Sequence, residues 1–293
     1  MPAFNHTVLM SGVDYFDDSA PINPLMTQEA AIDLTEAAAE HGCIREALQS
    51  AGVTVHTVEP PKGCQDGVFT ANWALVRGDK AVMARLPNAR KAEEPYAAEV
   101  LKSFGKEIIW LPEEIEKFSG QGDALPCGDV LFCGSGYRSD PDAQAFVAKT
   151  LGYERIQLKA KPWLGDDGQP VINAYSGLPD SFYYDLDLAL SVLKFPTNTK
   201  KGLIAWCPAA FTPESQAVLR QFDGVDKIEV DETEAVNSLV CNLVSTGDTV
   251  IMNDGAPTFT AALESHGLKT IRLKNPELAK GGGSMRCTTL SFN

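Results

Sequence analysis

The chain has 293 residues, 44% of them hydrophobic and 22% charged, with 39 acidic against 25 basic side chains and a net charge of −14. That composition describes a folded chain long enough for a large core, and its acidity argues against nucleic acid and anionic membranes while favouring cationic ligands. No apolar run approaches the ~18 residues of a membrane span, the first residues carry no secretory pattern, and seven cysteines, an odd number without a CxxC pair, suit a reducing cytoplasm and give no zinc signal.

Taken in chain order, the elements repeat. A strand at His6–Met10 is followed by a helical region from Gln28 to Ser50 and a strand at Val53–Val58. A hairpin over Ala74–Met83, turning on Gly78-Asp79, leads to a helix over Glu93–Phe104 and a strand over Glu107–Leu111. A second hairpin, Ala124–Phe132, turns on Gly128-Asp129 and leads to a helix over Pro141–Leu151 and a strand over Arg155–Leu158. A third, with a longer loop, joins Leu188–Leu193 to Leu203–Trp206, before a helix over Pro213–Phe222 and a strand over Lys227–Val230. A fourth, Asn242–Met252, turns on Gly247-Asp248 before a helix over Pro257–His266 and a strand over Thr270–Leu273. Apolar runs flanking Gly-Asp read as paired strands, and Pro at the first helical turn marks three of the helix starts.

The unit is hairpin, helix, strand. Four copies are complete, and a fifth needs the N-terminal strand to pair with a C-terminal strand over Cys287–Phe292. The expected fold is therefore α/β, a five-bladed pseudo-symmetric propeller closed by its terminal strands, in one domain over residues 1–293. Two successive α/β domains are the alternative, but orphan strands at both ends favour a ring, which removes exposed edges.

In such a ring the segments entering each hairpin converge near the axis. They carry Asp66, Asn72, Asp123, Asp185, Asp187 and Cys287. The alternation in Asp185-Leu186-Asp187 places both carboxylates on one strand face. Cys287 follows Gly281-Gly282-Gly283, a backbone that a substrate can approach, and its neighbour Arg286 offers the positive setting that favours a thiolate. The alternative for Cys287 is a small apolar residue opening the last strand. Carboxylates facing a cysteine suit a planar, cationic donor, and guanidinium fits best because it engages carboxylates in a bidentate fork.

Ile22-Asn23-Pro24, the segment from Asp66 to Asn72, Met83-Ala84-Arg85, Gly136-Tyr137-Arg138-Ser139, Asp185-Leu186-Asp187 and the Gly281–Cys287 segment together resemble landmarks of the guanidino-group modifying enzymes: the amidinotransferase, arginine deiminase and dimethylarginine dimethylaminohydrolase superfamily. The resemblance spans nearly the whole chain and implies the five-bladed pentein fold. It implies that Cys287 attacks a guanidinium carbon to form a covalent thiouronium. It further implies that Asp66 and Asp187 grip guanidinium nitrogens, that Arg85 and Arg138 hold a substrate carboxylate, and that Asn23 and Asn72 contact substrate. For Arg85 and Arg138 surface solvation is the alternative, and for the asparagines turn capping.

Two departures stand out. The family's acid–base histidine opens a His-x-Asp pattern, where this chain has Asp185, and its partner glutamate opens a Glu-Gly-x-x-Asp segment, where this chain has Ser119 ahead of Asp123. The four histidines, His6, His41, His56 and His266, all fall on scaffold patterns. Asp185 is thus expected either to take over proton transfer, its pKa raised by crowding carboxylates, or to mark a site that binds guanidines without turning them over. The expected function is a cysteine hydrolase of a guanidine or amidine C–N bond in an arginine-like small molecule. A silent guanidino-binding protein and an amidinotransferase are the alternatives. No cofactor, metal, nucleic-acid or membrane partner is expected, the expected location is the cytoplasm, and the oligomeric state is left open.

Overall fold

The computed structural model describes residues 4–292. Its elements follow the repeat. The first group is β1 (Thr7–Ser11), α1 (Leu34–Ser50) and β2 (Thr54–Val58). The second is β3 (Ala74–Arg77), β4 (Lys80–Met83), α2 (Glu93–Ser103) and β5 (Glu107–Ile109). The third is β6 (Ala124–Cys127), β7 (Val130–Ser135), α3 (Pro141–Leu151) and β8 (Glu154–Lys159). The fourth is β9 (Leu190–Lys194), β10 (Gly202–Trp206), α4 (Pro213–Gln221) and β11 (Val225–Glu229), with a short α5 (Glu232–Ser238) after it. The last is β12 (Val244–Ser245), β13 (Thr249–Asn253), α6 (Pro257–Ser265) and β14 (Lys269–Leu273), followed by α7 (Pro276–Lys280) and β15 (Leu290–Ser291).

These strands form five three-stranded sheets, ordered β15-β1-β2, β3-β4-β5, β6-β7-β8, β9-β10-β11 and β12-β13-β14, counted among the described residues. Every sheet has one design. Its middle strand pairs antiparallel with one neighbour and parallel with the strand that follows the helix. The middle strands read as continuous apolar runs, such as the fully buried GLIAW of β10, whereas the third strands are half exposed. A strand between two neighbours and under a helix needs apolar side chains on both faces, and an outer strand does not. In the first sheet the antiparallel partner comes from the far end of the chain: Val8 pairs with Ser291 and Leu9 with Leu290.

Local chemistry sets the ends. Asp33 caps α1 by accepting from the amides of Thr35 and Glu36, so the helix begins there and not at Gln28, which has a positive φ of 58°. Gly152 ends α3 in the left-handed conformation. The C-terminal strand is shorter than the sequence suggests, because residues 285–288 form a turn and only Leu290–Ser291 is extended. Three single 3-10 turns, Thr70–Trp73, Gly120–Gly122 and Leu186–Leu188, stand just ahead of β3, β6 and β9. Asp185-Leu186-Asp187 therefore bends into a turn and does not run along a strand. Its two carboxylates diverge.

Candidate active site

The hairpin-entry segments bring the candidate residues together. A narrow cavity is lined by Asn23, Asp66, Asn72, Arg138, Asp185 and Cys287, with Arg90 and Tyr184 beside them. All are buried. Cys287 lies on the turn ahead of β15. Its Sγ accepts a hydrogen bond from Asn242 Nδ2 at 3.1 Å and donates to Asp187 Oδ2 at 3.4 Å. Asn242 Oδ1 also accepts from the amides of Ser284 and Cys287, at 2.9 and 3.2 Å, so one side chain fixes both the turn and the sulfur.

The electrostatic setting is not the positive one that Arg286 suggests in sequence. Arg286 turns to Gln121 Oε1 at 2.9 Å and Ser291 Oγ at 3.1 Å. Burial pushes the Cys287 thiol well above its usual range, and the Asp187 and Asp185 carboxylates push it further. Asp187 is itself raised to about 8, by burial and then by Asp185, with Arg286 opposing. Asp66 is raised to about 6 by burial, partly offset by Arg90. A cation entering such a pocket would favour the ionised form of its carboxyls.

Asp185 accepts from Asn72 Nδ2 at 2.9 Å, and its Oδ2 lies 3.9 Å from Arg138 Nη1. Its other oxygen has no partner in the protein, and neither has one oxygen each of Asp187 and Asp123. Ser119 lies behind Asp185, where its carbonyl and hydroxyl accept from Asn72 Nδ2 at 3.1 and 2.9 Å. Ser139 holds Ser119 in turn, accepting from its amide at 3.0 Å. Asp123 stays outside the cavity and accepts from the Leu186 amide at 2.9 Å, bracing the turn between the two site aspartates. Burial and Asp185 hold its carboxyl well above the usual range.

Arg138 stacks on the Tyr184 ring, 4.1 Å from its centroid, and donates to the Ile22 carbonyl at 3.1 Å. Arg85 is not brought into the cavity. Its guanidinium is spent on the carbonyls of Leu111, Pro112, Glu113 and Ile115, and it lines an outer cleft that Arg138 also reaches. Asn23 donates to the Gly281 carbonyl at 3.1 Å. Gly281 and Gly283 line the cavity beside Cys287, and neither position has room for a side chain: a Cβ on Gly281 would meet Phe16 at 2.5 Å, and one on Gly283 would meet Cys287 Cβ at 2.7 Å. Gly282, at φ +95°, packs under Tyr184 and Asn23, and its carbonyl accepts from the Tyr184 hydroxyl at 2.6 Å.

Sequence reasoning missed Arg90, Glu93, Tyr184 and Asn242. Arg90 and Glu93 form a buried bidentate pair, both contacts at 2.8 Å, and Arg90 Nη1 donates to Asn72 Oδ1 at 2.8 Å. Asn242 stands two residues before β12, as Asn72 stands two before β3. The repeat itself carries that signal. None of the four histidines lines the cavity. Among the described residues no group of three or more His, Cys, Asp or Glu side chains is placed to hold a metal ion, and no helix is long and apolar enough to cross a membrane.

Comparison with known proteins fixes the relationship. Residues 16–169 match the model of the eukaryotic N,N dimethylarginine dimethylhydrolase family. The chain is also 31% identical over 280 residues to the N(G),N(G)-dimethylarginine dimethylaminohydrolase of Mycobacterium tuberculosis, covering 95% of this chain and 83% of that one. The chain belongs to the dimethylarginine dimethylhydrolase family. A second family relative is the bifunctional arginine dihydrolase/ornithine cyclodeaminase ArgZ of Synechocystis, 32% identical over 97% of this chain. This chain spans only 37% of ArgZ's length. The crystal structure of the N-terminal domain of ArgZ, a Cys→Ser variant bound to substrate, superposes with a TM-score of 0.83 at 28% identity and covers 98% of both chains. A dimethylarginine dimethylaminohydrolase adduct with S-methyl-L-thiocitrulline shares the fold, with a TM-score of 0.74 at 18% identity. The guanidino-modifying superfamily expected from the motifs is thus the one found.

Proposed function

We propose that the protein hydrolyses a guanidine C–N bond of an arginine-like small molecule through a thiouronium on Cys287. The observation that carries this reading is that Cys287 lines one cavity with Asp66 and Asp185 while its Sγ contacts Asp187, which stands at the back of that cavity. The Cys287 proton passes to Asp187 as the S–C bond forms. The C–N bond then breaks, and Asp185 gives a proton to the departing amine. Water attacks the thiouronium carbon and the C–S bond breaks. One proton of that water restores Asp185 and the other returns to sulfur, so each turnover leaves one proton, on Asp187, to be released to solvent before the next. The products are a ureido compound and an amine. In this reading Asp66 and Asp187 hold guanidinium nitrogens, Asn72 and Ser119 aim Asp185, and Asn23, Arg90 and Arg138 face the rest of the substrate. Arg85 acts at the outer cleft.

Asp66 and Asp185 line the cavity with Cys287 and Asp187 stands against the sulfur, and each carboxylate needs an N–H to meet it. Unmethylated guanidines therefore suit the cavity better than dimethylated ones, since an N-methyl group against a buried carboxylate leaves it unpaired. We take residues 1–293 as one catalytic domain whose five sheets surround this site as a closed propeller. That view draws on the pairing of β1 with β15 and on the convergence of hairpin-entry segments.

Incubation with arginine, N-methylated arginines and agmatine, assaying ureido product and released amine, tests the reading. Ureido product from arginine is the expected result. A second reading, a guanidine-binding protein without turnover, is favoured by one observation: Asp185, at the family's histidine position, touches Asn72 and Arg138 but not Cys287. Saturable arginine binding with no product from any of these compounds selects it.

A further inference from the structure

A second cavity lies behind Asp187. It is lined by Asp187, Ser191, Arg286, Leu190, Cys241 and Leu243, among others, and shares no lining residue with the cavity in front of Cys287. The Asp187–Cys287 contact is the wall between them. Asp187 Oδ2 faces the sulfur. Its Oδ1 is buried and has no partner in the protein, and the Ser191 hydroxyl, also buried and also lining the rear cavity, has none either. Arg286 supplies a buried cation beside them, with its guanidinium on Gln121, Ser291 and the Thr289 carbonyl. Two unpaired polar atoms and a guanidinium around a space large enough for water-sized molecules make a water site, because buried polar groups are satisfied by protein or by ordered water.

We propose that the cavity behind Asp187 is a water-filled proton exit, with Asp187 and Ser191 as its relay groups. The proposal rests on the hydrolase reading given above. Conversion of a guanidinium and water into a urea and a neutral amine leaves one proton behind. While it does so, substrate and amine occupy the front cavity. Asp187 takes the Cys287 proton on Oδ2 as the C–S bond forms; rotation of the carboxyl group then carries that proton to the rear face, where it passes to water held by Ser191. The chain of exchanges conserves charge: one proton enters Asp187 from sulfur and one leaves to the water behind it. The charged or titratable groups facing Asp187 are Tyr184 and Asp185 just ahead of it, Asp123 ahead of β6, Cys241 ahead of β12, and Arg286 and Cys287 on the last turn.

The test is the rate of the first half-reaction in Ser191→Val and Ser191→Thr. Rapid quenching follows amine release and intact-protein mass follows the Cys287 adduct. In Ser191→Val the amine burst is expected to slow about 10-fold or more, with an enlarged solvent isotope effect. Arginine affinity, measured by calorimetry in a Cys287→Ala background, should stay unchanged. Ser191→Thr, which keeps a hydroxyl, restores the rate. An unchanged burst in Ser191→Val, or Ser191→Thr as slow as Ser191→Val, overturns the relay. Wild-type protein that forms neither adduct nor product overturns the hydrolase reading, and the exit falls with it because no proton is generated. Adduct and product at wild-type rates in Ser191→Val sink the exit alone.

Discussion

Asp66 and Asp187 are carboxyls kept from water, and their stability effect has a definite sign. Both have folded-state pKa values above the unfolded value near 4, so the folded protein binds more protons than the unfolded chain between that pH and about 6 for Asp66, or about 8 for Asp187. Their contribution is most favourable below pH 4 and is lost as the pH rises through 6 and then 8. For Asp66, raised from 3.8 to about 6, the loss is about 3 kcal/mol. Asp66→Asn should therefore be more stable than wild type at pH 8 and lose that advantage at pH 4, while guanidine turnover collapses. Urea melts at the two pH values check it, and a variant destabilised equally at both contradicts it. The same logic governs ligand binding: a guanidinium that ionises these carboxyls expels protons, so its affinity should strengthen from pH 6 to 8.

Cys287 presents the complementary case. With its thiol raised by burial and by two aspartates, the free protein should react slowly with iodoacetamide at pH 7 and faster as the pH climbs. Cys287→Ala should abolish product formation and keep a melting temperature near wild type, since the side chain is small and Asn242 still holds the turn through backbone amides. Turnover within a few-fold of wild type in that variant would remove the covalent route.

At the scale of elements, the turn over Gly281–Gly283 is a packing joint. Gly282→Ala places a Cβ 2.5 Å from the Tyr184 hydroxyl and 2.6 Å from Asn23 Oδ1, at a φ that disfavours any side chain. We expect a loss of about 1–3 kcal/mol and a much larger loss of activity, because Tyr184 carries the stacked Arg138. Denaturant melts beside steady-state kinetics separate the two effects, and a fully active Gly282→Ala refutes the joint. Hairpins were legible in the sequence because Gly-Asp between apolar runs is a local signal, and helices because Pro and period agree. Asp185-Leu186-Asp187 was not, since alternation over three residues cannot tell a strand from a 3-10 turn. That Arg90 lines the cavity and Arg85 does not was hidden for a related reason. Which of two nearby arginines reaches a cavity depends on carbonyls at 111–115 and on Glu93, and a motif does not reveal how those carbonyls are spent.

For the whole molecule, the first sheet is the one that local signals cannot supply. Its middle strand, β1, lies between β2 and β15, so deleting residues 1–10 removes the centre of a sheet and not an edge. That truncation should lose cooperative thermal unfolding, not only a few degrees. A truncated chain that melts and turns over like wild type would show β1 to be dispensable. The fifth unit was inferred from orphan strands at the two ends, which works because an unpaired apolar strand is costly wherever it lies.

The pairing of Val8 with Ser291 also bears on how the protein comes to exist. During synthesis the first sheet cannot be completed until Leu290–Ser291 has been made, long after its middle strand, Thr7–Ser11. Such distant pairing makes for slow folding and a long interval in which β1 presents a bare apolar edge. Cys287, the nucleophile of the proposed mechanism, lies four residues before Ser291, so a growing chain holds Asp66 and Asp185 before it holds Cys287. On that mechanism, reactivity and completion of the first sheet arrive together, and a chain interrupted before residue 287 is inert toward guanidines while being prone to aggregate.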